Sequence, residues 1–71
     1  MESKKAFELF EQGILKKGCK VKMGGIKRFE GFIEVENAFI KKARLGEMED
    51  DWVVIIVYGL MYDAAWIEEV Q

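Results

Sequence analysis

"RFEGFIEVENAFIKKARL", residues 28–45, decides how this chain folds. Its first half alternates apolar and charged side chains as a half-buried strand does. Its second half offers two structures. Asn37 suits the N-cap of a short helix, with Phe39, Ile40 and Ala43 at helical spacing and Gly46 as its stop. Asn37 equally suits a turn from which 39–45 returns as an antiparallel strand. One long, sharply bent strand makes the chain a small β-barrel; a break at Asn37 makes it an α+β fold with a second short helix at 38–45. The stretch alone leaves both open.

The residues before it supply two elements. Ala6, Phe7, Phe10 and Ile14 fall at three- and four-residue spacing, which predicts a helix over about 3–17, capped by Ser3 and ended by Lys16, Lys17 and Gly18. "CKVKM", residues 19–23, alternates apolar and basic residues and predicts a strand ending at Gly24-Gly25. A two-residue hairpin there would place Arg28 on the apolar face. The expected turn is therefore the loop Gly24, Gly25 and Ile26, pairing Val21 with Phe29, Cys19 with Gly31 and Lys20 with Glu30. The next strand is expected over 27–36, with Gly31 as a bulge or sharp bend.

Beyond the stretch, "GEMEDD" (46–51) reads as an acidic loop. "WVVIIVY" (52–58) is β-branched and aromatic throughout, the composition of a central strand buried on both faces. Gly59 turns or kinks the chain. Residues 61–70 close it, most simply as a strand, with Asp63 as the cap of a terminal helix in the alternative.

Seventy-one residues make one domain, 1–71, with the barrel over about 19–70. A chain this short buries only about 60% of the surface its unfolded form exposes, so oligomerisation would help its core. There is no His, Thr or Pro, the one Ser is Ser3 and the one Cys is Cys19. No Ser/His/Asp or Cys/His nucleophilic site can be assembled from that inventory, and no zinc or haem ligand set; the expectation is a protein that is not an enzyme and takes no cofactor. Glu47, Glu49, Asp50 and Asp51 offer hard oxygen ligands without the spacing of a calcium loop, so no metal is assigned. No apolar run approaches the roughly 20 residues of a membrane span, and the first residues lack a signal-like apolar block. The expected location is the cytoplasm, away from membranes.

Charge is unevenly distributed. Residues 1–45 hold all eleven Lys and Arg with six Glu, and residues 46–71 hold seven acids and no base. Such a chain can present a basic face to a polyanion or complementary surfaces to its neighbours, or its charges can segregate in sequence and mix in space.

The stretch "KVKMGGIKRFEGFIEVENAFI" resembles the Sm-like family, and within it the bacterial Hfq branch. It has a first strand, a Gly-containing turn, Gly31, an aliphatic Ile33 two places on, Asn37 where the family carries Asp, and an aromatic Phe39 two places further. "VVIIVYGLMYDAAWI" loosely answers the second motif, and the Tyr-Lys-His run of the Hfq branch is absent. "LKKGCKVKM" and "AAWIEEV" also resemble the opening and closing strands of other SH3-like barrels, including the KOW and Tudor types. The resemblance implies a mainly all-β chain, a small SH3-like or Sm-like five-stranded barrel behind an N-terminal α-helix. It also implies non-catalytic binding of single-stranded RNA by a homo-oligomer, with a ring as the leading form and edge strands pairing between subunits.

Lys20, Lys22, Lys27 and Arg28 bracket the first hairpin and Lys41, Lys42 and Arg44 follow later, a set able to contact phosphates. Phe32 stands among charged neighbours where it could stack on an unpaired base, with Asn37 and Phe39 as the motif positions beside it. Lysines on sheet edges also protect against aggregation, and a turn at Gly24-Gly25 needs no anion to explain it. Trp52, Tyr58, Tyr62 and Trp66 belong in the core or a subunit interface; exposed, they would line a groove for an extended peptide. The alternative function is accordingly a protein–protein interaction module or assembly scaffold of SH3-like fold.

Overall fold

A computed structural model describes residues 1–25, 29–45 and 48–71, with the side chains of 43–45 and 48–50 left aside. The chain is mainly β. Helix α1 (Ser3–Glu11) precedes strands β1 (Lys20–Met23), β2 (Ile33–Glu34), β3 (Asn37–Leu45), β4 (Met48–Val57), β5 (Leu60–Asp63) and β6 (Ile67–Val70), and a 3-10 helix (Ala64–Trp66) separates the last two. The strands form two three-stranded antiparallel sheets, in the orders β2-β1-β6 and β3-β4-β5. They are not closed into the single five-stranded barrel expected from the sequence.

The deciding stretch is a bent strand. Val35 belongs to the first sheet, its N–H donating to the Cys19 carbonyl at 2.8 Å and its carbonyl accepting from the Gly18 N–H at 2.8 Å. One residue on, the Glu36 N–H donates to the Ile56 carbonyl of the second sheet at 2.8 Å. The chain thus changes sheets at one peptide. The alternative helix at 38–45 does not form: from Asn37 to Leu45 each residue pairs with β4, beginning with Asn37 opposite Ile56. An isolated two-turn helix is marginal in water, whereas this segment lies beside a β-branched strand that needs a partner. The Asn37 Oδ1 accepts from the adjacent Ala38 N–H at 3.0 Å instead of capping a helix.

Two further expectations change. β1 pairs Val21 with Ile33 and Lys20 with Glu34, four residues beyond the tight-hairpin register, and β2 is only two residues long. The reason is Gly31, whose φ of 71° is a left-handed turn that breaks the strand expected over 27–36. Ile26, Lys27 and Arg28 lie outside the described residues. The helix also stops at Glu11, short of residue 17. Gly13, at φ 72°, donates to the Phe10 carbonyl, and the Ile14 N–H donates to the Leu9 carbonyl at 2.9 Å, together a Schellman motif. Its N-cap is Glu2, with no side-chain cap, rather than Ser3. Gly13→Ala should cost about 1 kcal/mol, seen as a fall in melting temperature of roughly 4–8 °C; no change would mean the motif is not held in solution.

The core lies between the sheets and under the helix. Val21 and Met23 of β1, Ile33 and Val35, Val53, Ile55 and Val57 of β4, Ala64 and Ile67 are buried together with Ala6 and Leu15. Phe7, Leu9 and Phe10 of α1 pack against this cluster. The Asp63 Oδ1 accepts from the Ala65 N–H at 2.8 Å, so Asp63 caps the 3-10 helix and not a longer one. No helix among the described residues is long and apolar enough to cross a membrane.

Candidate functional site

The turn joining β4 to β5 holds the most exposed aromatic of the described chain. Tyr58 is 69% exposed, and with Gly59 it forms a two-residue hairpin whose φ values, 50° and 73°, are both positive. This is the sense of a type I′ turn, which matches strand twist but suits Asn or Gly better than a bulky side chain. Two contacts hold the residue there. Its ring stacks on Phe29 with centroids 5.3 Å apart, and the Gly59 N–H donates to Glu36 Oε2 at 2.8 Å. Phe29 in turn meets the edge of Tyr62, with centroids 5.6 Å apart. Two aromatics of the β4–β5 hairpin thus hold Phe29, distant from them in sequence, onto the second sheet.

Beside this turn lies an open groove of about 530 Å³, lined by Lys20, Phe32, Ile33, Glu34, Glu36 and Tyr58. Phe32 is 40% exposed, so two aromatic rings reach solvent along it. A second hollow of about 350 Å³ adjoins it through Glu34 and Glu36 and adds Lys17, Gly18 and Val35. The groove exists because the strand bends: Ile33 points into the core, Glu34 and Glu36 point out, and the change of sheet brings the β4–β5 turn alongside them. Two carboxylates and one ammonium give it a slightly acidic wall.

Of the expected nucleic-acid-binding residues that are described, Lys20 and Phe32 alone meet here. Lys22 is exposed on β1 opposite Glu69, as Lys20 is opposite Glu34, and Lys42 on β3 is opposite Asp51. Asn37, Phe39 and Lys41 share the outer face of the second sheet, where the Lys41 Nζ stands 6.0 Å from the centre of the Trp52 ring. Lys27 and Arg28 lie outside the described residues. Charges that segregate in sequence therefore mix in space, each described strand lysine but Lys41 facing an acid across the ladder, a pairing worth roughly 0.2–1 kcal/mol. The Gly24 N–H, a candidate anion donor, is taken by the Trp66 carbonyl at 2.8 Å. Ile33, Glu34 and Glu36 are additions to the expected set, while Tyr58, expected in a peptide groove with Trp52, Tyr62 and Trp66, instead lies beside Phe32. The Tyr-Gly pair between two apolar runs was the available signal for the turn, but nothing local placed it next to Phe32. Comparison with protein-family models, curated proteins and solved structures gives no match.

Proposed function

We propose that the chain is a non-catalytic, cytoplasmic binding module of SH3-like architecture that holds an extended polypeptide segment in the groove between Phe32 and Tyr58. The architecture is supported by a strand bent between two sheets, a first strand paired with the last, and a 3-10 helix before the closing strand. The observation that carries the ligand class is the groove itself, two exposed rings beside Glu34, Glu36 and Lys20. Rings offer an extended chain flat apolar contact at low entropic cost, and the carboxylates favour a Lys or Arg next to the apolar residue. Single-stranded RNA, the second reading, is favoured by the same rings as stacking platforms with Lys20 alongside. The two carboxylates and the acid opposite Lys22 count against a phosphate backbone.

A displayed library of short random peptides, panned on the purified protein, separates the readings when run beside a labelled oligo-U titration. The expected result is enrichment of peptides pairing an apolar residue with a basic one, their affinity reduced about tenfold or more by Phe32→Ala. Oligo-U binding that falls steeply between about 50 and 200 mM salt, without peptide enrichment, would replace this reading with the RNA one.

A further inference from the structure

The second sheet has two apolar faces, and only one of them joins the core cluster. Ala38 and Ile40, then Val53, Ile55 and Val57, then Tyr62 face the core cluster. The alternate residues Phe39, Trp52, Val54, Ile56 and Met61 face the other way, and none of them joins that cluster. Helix α1 cannot cover this outer face, because Ala6 lies within the cluster on the opposite side. Antiparallel sheets that face water normally alternate apolar with polar; β4 does not. Val54 is 2% exposed among its neighbours while Met61 is 55% exposed at the rim.

We infer that this outer face is covered by a second copy of the chain, the two sheets packing face to face about a two-fold axis. Charge placement selects that occupant. Lys41 sits on the β3 side of the face, opposite Trp52, and Asp63 on the β5 side, opposite Val54, two residue pairs further along the ladder and so the next position on the same face. A two-fold axis running along the strands lays β3 of one copy over β5 of the other, so each Lys41 meets the partner's Asp63 at both ends of the apolar patch. The Ala65 N–H occupies only Oδ1 of Asp63, leaving Oδ2 for the lysine. None of the groove residues is on this face, so association leaves the proposed ligand site open.

Sedimentation across micromolar to millimolar protein tests the inference, with emission of Trp52 read in a Trp66→Phe background. The expected species has twice the 8.2 kDa chain mass, and dilution shifts the Trp52 emission to the red as the face is uncovered. Lys41→Glu and Met61→Glu, both at solvent-exposed positions, should each weaken association about tenfold or more with unchanged circular dichroism. A monomer throughout the range would overturn the inference. So would a larger ring whose Trp52 emission ignores dilution, or a dimer indifferent to both substitutions.

Discussion

Replacing Ile55 with alanine is expected to destabilise the chain by about 3–4 kcal/mol, a large share of what a domain of this size has to lose. Ile55 is 0% exposed and lies where β4 is flanked by both β3 and β5, within the core cluster. Removing three carbons there leaves a cavity that a small core cannot collapse, and a domain of this length has a total stability of only about 4–11 kcal/mol. Urea unfolding followed by circular dichroism should show a midpoint lower by about 3 M, taking a slope of roughly 1 kcal/mol per molar. Ile56→Ala, one residue along and on the outer face, is the control. Its cost should stay under about 1.5 kcal/mol in dilute protein and grow with concentration as the dimer it weakens forms. Equal costs for the two substitutions would mean that β4 does not present these faces.

Tyr58→Asn should separate binding from stability. Asparagine tolerates the left-handed conformation that tyrosine adopts here at a cost of roughly 1–2 kcal/mol. The stack on Phe29 that is lost is worth about 0.5–1.5 kcal/mol. The two nearly cancel, so the unfolding free energy should change by less than about 1 kcal/mol. Affinity for groove-binding peptides should nevertheless fall about tenfold or more, because the ring is the most exposed part of the groove. A loss of stability well beyond that range, with affinity retained, would make Tyr58 a structural clasp for Phe29 and remove it from the site. Strain kept in an exposed aromatic is the pattern of a residue held for what it contacts outside the chain.

The elements with one dominant local signal were legible in the sequence. Val53, Ile55 and Val57 of "WVVIIVY" are buried on a central strand, though Tyr58 lies exposed in the turn beyond it; Val21 and Met23 point inward from β1, and the helix begins where the spacing of Ala6, Phe7 and Phe10 places it. Residues 38–45 were not, because Phe39, Ile40 and Ala43 satisfy helical spacing as well as pairing, and the choice belongs to β4, which is distant from Asn37 in sequence. The hairpin register failed for a related reason. Alternation through Phe29, Gly31 and Ile33 is real on paper, but Phe29 is drawn to Tyr58 and Tyr62, and Gly31 turns to allow it. Half of the groove was visible in Lys20 and Phe32 and in Tyr58 as a candidate for a peptide groove. Glu34 and Glu36 read as ordinary solvated positions of a strand, and only the bend gives them Tyr58 as a neighbour.

The single-peptide change of sheet at Val35 and Glu36 also sets an order of assembly. The strands β3, β4 and β5 follow one another through short connections and can pair as soon as they exist, whereas β1 must wait for β6, whose pairing ends with the Gln71 N–H on the Lys20 carbonyl at 2.9 Å. Loop closure over some fifty residues is the slower event. During synthesis the meander should therefore form first, holding Glu36 in place, and the adjacent Val35 then presents a fixed edge on which the early β1 segment and the late β6 segment converge. Folding of the first sheet becomes a docking reaction onto the second, and the rate-limiting contacts are those made by β6, the last of the six strands to be synthesised.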